Sequence, residues 1–338
     1  MNRVLPVLLI ALFSVSTAKS QHIQFLTEGN SVSLRGVSAV NDKIVWVSGS
    51  NGTVGKSIDG GKKWVWMQVD GFEKSDFRDI EAFDDKTALI MGITEPACIL
   101  KTTDGGKHWK TIMKDTAKAM FLDAMDFLDA KWGVLIGDPA DGRFYMAMTH
   151  DGGNTWLPVD TMPKERPYRW KAQAGEAFFA SSGTNIRYLA PHKWAMVSGG
   201  QHTGFYDYND RYAIPLATGA ETTGANSIAV APNGRMVIVG GDFKKDSSSA
   251  GNCAVSAKGL PFVWELPQEA PHGYRSCVES LDNNRFISCG LTGVDVSSDG
   301  GMKWKLISRD GFHVCRKAKS GNVIYLAGAN GRIAKFTW

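Results

Sequence analysis

One motif, repeated four times, constrains this chain more than any other feature. Ser57, Asp59, Gly60, Gly61 and Trp64 recur as Thr102, Asp104, Gly105, Gly106 and Trp109, as Thr149, Asp151, Gly152, Gly153 and Trp156, and as Ser297, Asp299, Gly300, Gly301 and Trp304. The pattern, [Ser/Thr]-x-Asp-Gly-Gly-x-x-Trp, suits a hairpin turn. The carboxylate accepts backbone N–H groups, the glycines supply positive φ, and the indole packs on the neighbouring sheet. The first three aspartates are 45 and 47 residues apart, and the fourth follows 148 residues later, so two intervening units have lost the motif.

A second repeat fills that gap. Apolar runs ending in Gly occupy residues 45–49, 88–92, 134–137, 195–199, 236–240, 286–290 and 324–328, which makes seven units. Each is preceded by another β-like run and a polar turn, such as Asn41-Asp42 or Asn233-Gly234. Four short strands per unit of about 45 residues describe a β-propeller blade. The last unit stops at Trp338, where its third strand should finish, while residues 23–27 form a spare strand ahead of the first unit. Pairing the two ends leaves no exposed edge. The expected fold is all-β, one seven-bladed propeller over 21–338 closed by its N- and C-terminal strands. The 37 glycines and 11 tryptophans accord with many hairpins and large packed aromatics.

Residues 1–20 read as a signal peptide. Arg3 precedes an apolar run over 4–13, interrupted by Pro6, and a small-residue stretch over 14–20 places cleavage before Gln21. No cysteine stands next to the run, which argues against a lipid anchor, and ten apolar residues are too few to span a bilayer. The expectation is an exported monomer, periplasmic or extracellular, without a membrane span. Lys and Arg number 38 against 34 Asp and Glu, and removing Arg3 and Lys19 cuts the excess from four to two. No basic stripe for nucleic acid remains. The five cysteines lack metal spacing and read as buried thiols, with Cys277 and Cys289 placed to face each other across a hairpin.

Propeller ligands meet the mouth of the central channel, where each innermost strand begins. Thirteen residues before each repeated Gly stand Gly36, Asp79, Ala124, Ile186, Ser227, Cys277 and Cys315. One residue earlier stand Arg35, Arg78, Asp123, Asn185, Asn226, Ser276 and Val314, and Arg275 and His313 come just before the last two. Charges that open apolar strands must be paired or wet. They either brace the rim against each other or form an anion or carbohydrate pocket, with arginine forks gripping carboxylates. The long segment 160–182, with Arg166, Tyr168, Arg169, Trp170 and Glu176, reads as a lid over the mouth, joined by an insertion at 242–251 that carries Asp242, Lys244 and Lys245. The expected ligand site is therefore Arg35, Arg78, Asp79, Asp123, Glu176, Asp242, Tyr274, Arg275 and His313. His313 is expected to add pH dependence near neutrality.

The turn motif resembles the Asp-box, or BNR repeat, of sialidases, sortilin-type receptors and the photosystem II stability/assembly-factor family. In those families it lies in the outer loop between a blade's third and fourth strands, so the resemblance implies a structural role for Asp59, Asp104, Asp151 and Asp299 and for Trp64, Trp109, Trp156 and Trp304. The segments at 33–37, 77–79, 122–125, 175–184, 240–243 and 273–276 make the whole mature chain similar to exported bacterial propellers labelled photosystem II assembly-factor-like, glycosyl hydrolase-like or oxidoreductase. No strand–GxGxxG–helix unit, haem or copper ligand set supports the last label, so no cofactor or metal is expected. A sialidase would share the three rim arginines, Tyr274 and Glu176, but would have six units and an Arg-Ile-Pro motif. The favoured reading is a binding or assembly protein whose partner is an envelope protein or an acidic carbohydrate. The alternative is a hydrolase of acidic glycans, with Glu176 as its test residue.

Overall fold

The computed structural model describes residues 21–338 apart from 28, 30, 117–119, 160–170, 192, 209 and 258–261. The proposed signal peptide, and Arg166, Tyr168, Arg169 and Trp170 of the long segment, lie outside the described residues. Five sheets have four antiparallel strands each, and a sixth has nine. The large sheet is two four-stranded groups, one opening at Ile186–Ala190 and the other at Thr223–Val230, joined where Gly199 pairs with Gly224, with the two-residue strand Glu176–Ala177 as the ninth. Among the described residues there is no α-helix, and a 3-10 turn lies at Ala329–Gly331.

The chain is a propeller. The first strands of the groups are Leu34–Ala39, Phe77–Ala82, Leu122–Phe127, Ile186–Ala190, Thr223–Val230, Cys277–Ser280 and Val314–Lys317. Each packs against the next in sequence, and Val314–Lys317 packs back on Leu34–Ala39, which closes the cycle. His22–Thr27 pairs antiparallel with Ile333–Thr337 and supplies the outer strand of the last group, as the sequence of the two ends predicts. Six apolar clusters fill the wedges between neighbouring groups, and one of them runs from Val294 through Tyr325 to Val47. The recurrent Gly has a steric cause. At Gly240 a Cβ would sit on the carbonyl oxygen of Gly224, and at Gly290 on that of Tyr274, because the chain entering the inner strand crosses there, while at Gly92 it would meet Cys98 Sγ.

The four Asp-box turns share one hydrogen-bond pattern. In the second, Thr102 Oγ1 donates to Asp104 Oδ1 at 2.9 Å and accepts Gly106 N–H at 3.0 Å, while His108 N–H reaches Asp104 Oδ1 at 3.0 Å. Gly105 and Gly106 have φ of 83° and 90°. Trp109 lies edge-on to Trp46 of the preceding group at 6.5 Å and Trp304 is buried between groups, while Trp156 meets Phe127 edge-on at 5.9 Å and Trp64 stacks on Trp66 at 5.7 Å within their own groups. Thr102→Val keeps the shape but strands a buried Gly106 N–H. It should cost about 1–3 kcal/mol of unfolding free energy. Chemical denaturation measures this, and a loss below about 0.5 kcal/mol would show the turn to be dispensable.

All five cysteines are buried and free. Cys277 and Cys289 are register partners across the hairpin, as their placement in sequence suggested, with Cys277 Sγ 3.3 Å from the Cys315 carbonyl oxygen.

Candidate functional site

Four inner strands slip register near their start, and the residues that slip are Arg35, Arg78, Asp123 and Asn226. A bulged residue leaves the in–out alternation of its strand and its side chain is re-aimed. Bulges therefore set these polar groups at one end of the channel, each in the position that counting back from the repeated Gly assigns.

The C-terminal end of the long segment expected as a lid meets them there, with the residues just after it. Residues 178–184 cross the channel as a plug. Arg35 Nη1 donates to the Ser181 carbonyl at 3.2 Å, and Arg78 Nη1 to the Ala180 carbonyl at 3.4 Å. Phe178 N–H reaches Asp138 Oδ1 at 2.9 Å. On the far side Ser181 Oγ reaches Asn226 Oδ1 at 3.0 Å, Ser182 Oγ the Ser276 carbonyl at 2.8 Å, and Thr184 Oγ1 Ser227 Oγ at 2.7 Å. Gly183, at φ 62°, leaves its Cβ space to the Asp79 carboxyl. The small hydroxyl residues that read as a loop thus satisfy one another's hydrogen bonds across the axis.

The two arginines differ in their partners. Arg78 Nε is bound to Asp76 Oδ2 at 2.8 Å. Arg35 is half-buried and makes no ion pair among the described residues, and burial together with the Arg78 charge lowers its pKa. His313 lies close by, its Nε2 3.3 Å from Ser33 Oγ. Burial, then Arg35 and Arg78, push the imidazole down to about 3, so it is neutral at physiological pH. This corrects the expectation that His313 titrates near neutrality.

The remaining expected residues divide. Asp79 is buried, with its oxygens taken by Ile80 N–H and Met125 N–H at 2.8 Å each, and burial lifts it to about 8. Tyr274 is buried with its hydroxyl on Asn226 Oδ1 at 2.8 Å. Asp242 caps the turn that starts its insertion, accepting Lys244 N–H at 3.0 Å. Asp123 is fully enclosed, and burial raises its carboxyl well above the ordinary aspartate range although the backbone N–H groups of Asp138 and Ala180 bear on it.

Two expectations are corrected. Arg275 is wholly buried and committed: Nε and Nη2 bind Asp295 Oδ2, and Nη1 donates to the Tyr274 carbonyl and Thr292 Oγ1 at 2.9 Å each. Asp295 holds His272 Nδ1 at 2.7 Å with its other oxygen. Glu176 does not descend on the arginines. It lies in a short strand paired with Gly199 and Gly200, where Ser198 Oγ, Tyr206 Oη at 2.6 Å and Arg211 at 3.5 Å enclose its carboxylate.

What converges at the mouth is thus Arg35, Arg78 and His313, with the plug carbonyls between them and Asp123 and Asp138 behind. Beside them Phe179 meets Phe243 edge-on at 5.8 Å, and Phe243 is exposed and reaches Tyr274 at 6.3 Å. Such a surface offers an uncompensated guanidinium next to an apolar face.

No protein-family model matches the chain. Over 109 residues, 32% of this chain and 31% of the relative, it is 28% identical to the photosystem II assembly lipoprotein Ycf48 of Synechococcus sp. (strain CC9902). A solved structure, YCF48 bound to D1 peptide, superposes with a TM-score of 0.66 at 16% identity, covering 95% of this chain and 96% of that one. By sequence and by fold, this chain is similar to Ycf48. YCF48 from Cyanidioschyzon merolae gives 0.62, also at 16% identity, over 93% of this chain and 98% of its own. The match to the curated Ycf48 spans about a third of that protein's length. The likeness to the two YCF48 structures carries the propeller across nearly the whole chain at low identity.

Asp138 and the plug residues were not among the expected site. Asp138 follows the repeated Gly137, a position the counting rule did not include, and its role comes only from the plug that hydrogen-bonds to it.

Proposed function

We propose that this chain is an exported seven-bladed docking factor, one that holds a segment of a partner protein at its channel mouth through that segment's acidic group. The observation that carries this is Arg35. It is a half-buried cation with one hydrogen bond among the described residues, to the Ser181 carbonyl; burial and the like charge of Arg78 outweigh the offsetting charge of Asp76. Desolvation already penalises that arrangement, so an incoming carboxylate recovers electrostatic energy that water and the protein do not supply. The exposed Phe243 adds apolar contact of the kind that protein interfaces favour. The solved YCF48 with its D1 peptide supports a peptide-binding role for this fold. Export rests on residues 1–20 and agrees with the curated Ycf48 being named a lipoprotein.

The glycan-hydrolase reading has lost its acid: Glu176 is enclosed by Ser198, Tyr206 and Arg211. Capture from envelope extract on immobilised protein tests the docking reading. Wild type should retain a stoichiometric protein partner, and Arg35→Ala should reduce its retention about tenfold, the equivalent of one charge-assisted hydrogen bond. Equal retention by both proteins would overturn the assignment, as would turnover of acidic glycans without any protein partner.

A further inference from the structure

We infer that the Asp-box is the receiving half of a latch between consecutive groups, its first glycine presenting a carbonyl to a cation sent by the group before it. What the motif binds is thus an ammonium or guanidinium of this same chain. Lys56 Nζ donates to the Gly105 carbonyl at 3.0 Å and to the Asp85 carbonyl at 2.9 Å. Lys101 Nζ donates to the Gly152 carbonyl at 2.8 Å and to Asn154 Oδ1 at 2.9 Å. Arg235 Nε donates to the Gly300 carbonyl at 2.7 Å. Each cation stands on one group and each box on the next, with Lys56 in the strand Thr53–Ser57 and Lys101 in Ala97–Thr102. Both lysines are half-buried, and a charged donor in such a place holds a carbonyl more firmly than a neutral one does.

The repeat carries an independent check. Lys56 is the register partner of Trp46, Lys101 of Leu89 and Lys335 of Tyr325, in each case the residue three before the repeated Gly. In the other groups that partner is Met148, Tyr206, Val255 or Val296. Lysine therefore stands where the next group carries a box, at Asp104, at Asp151 and, around the closure, at Asp59. Met148, Tyr206 and Val296 stand where the next group has none. Val255 precedes the box of Asp299, and there Arg235, from the same group as Val255, takes the lysine's part. A lysine serving only its own group has no reason to follow its neighbour's turn in this way.

Two further contacts fit the latch. Gly60 N–H bonds the Lys43 carbonyl as Gly105 N–H bonds that of Lys86, so Asp42 is the counterpart of Asp85. The Asp42 carbonyl is taken by the Tyr325 hydroxyl at 2.9 Å, again from the preceding group. The first glycine also gains a role beyond its positive φ. A Cβ at Gly105 would lie 2.7 Å from Lys56 Nζ, and one at Gly300 would lie 2.7 Å from Arg235 Nε. A side chain in either place would push the cation off its carbonyl.

Hydrogen–deuterium exchange of the full chain, read peptide by peptide, tests this. Lys56→Met keeps an apolar stem against Trp46, over whose ring the ammonium lies at 4.8 Å. The peptide over 104–109 should then exchange about tenfold faster, the equivalent of one charge-assisted hydrogen bond lost from its local stability. The reporting amides are Gly105, Gly106 and His108, which hydrogen bonds protect at 2.9 to 3.0 Å. The lysine's own turn over 59–64 should keep its wild-type rate. Lys101→Met should move the effect on to 151–156, and it serves as the second variant if the first fails to fold. Lys56→Arg should restore the wild-type rate, since a guanidinium fills the same role at Gly300. Faster exchange in 59–64, or a rise shared by every turn, would overturn the latch and mark the lysine as a brace of its own group. Unchanged exchange of the following turn in either variant would overturn it too.

Discussion

Arg275→Ala should destabilise the protein by about 3–5 kcal/mol, the range for breaking a fully buried ion pair from one side. The guanidinium and Asp295 are both without solvent exposure, and Asp295 would keep only His272 to offset its charge. The Tyr274 carbonyl and Thr292 hydroxyl would lose their donor at the same time. A double replacement, Arg275→Leu with Asp295→Leu, should recover most of the loss, since removing both charges removes the desolvation penalty with them. Urea unfolding of the three proteins decides the matter. A single-variant loss under about 1 kcal/mol would show that Arg275 is not the brace between its strand and the hairpin at Gly293–Ser297 that its contacts describe. In the folded fraction, partner capture should be unchanged, which separates Arg275 from Arg35.

Stability should fall as pH rises from 6.5 to 8, and Asp79 should account for the fall. Its carboxyl goes from an ordinary 3.8 to about 8 on folding, because burial outweighs the Arg316 charge and two N–H donors. The folded state then binds a proton that the unfolded chain has released. The associated stability is complete below 3.8 and is lost as pH climbs through about 8. His313 works in the opposite sense: depressed from 6.5 to about 3, it makes stability rise between those values and contributes nothing above. Asp138, lifted to about 6, and Asp123, raised by burial, act in the same sense as Asp79. Above 6.5 Asp79 itself can contribute a slope approaching about 1.4 kcal/mol per pH unit. Comparing wild type with Asp79→Asn cancels every other group. The variant should show a flatter profile by roughly 1–2 kcal/mol across the window, and parallel profiles would refute the assignment.

The strands were legible because their pattern is local. Apolar runs of four or five residues ending in Gly recur at a fixed period, and the steric demand of the entering chain explains why that residue is Gly. The bulge positions were legible for the same reason: Arg35, Arg78, Asp123 and Asn226 hold one place in the repeat. Pairing across the fold was not legible. Arg275, just ahead of the strand Cys277–Ser280, and Asp295, within Gly293–Ser297, are 20 residues apart, and no spacing rule marks them as partners. Residues 178–184 read as loop by composition, yet Ser182 finds its acceptor 94 residues away at Ser276. Glu176 looked free because the Arg211 and Tyr206 that enclose it lie 35 and 30 residues downstream. His313 looked titratable because its type suggests so, and burial first, then two arginines brought in from other blades, make it inert.

The closure of the ring also orders events in time. His22–Thr27 is paired with Ile333–Thr337, so the earliest described strand waits for the latest. A chain emerging from a ribosome or a translocation pore can assemble its middle blades as they appear, each from neighbours in sequence. It cannot finish the last blade until residue 337 is free, and until then the apolar face that Phe312, Phe336 and Leu326 share is exposed. Contacts of such sequence separation form slowly. Of the whole molecule, this seam is where a chaperone or a protease would find the nascent chain open longest.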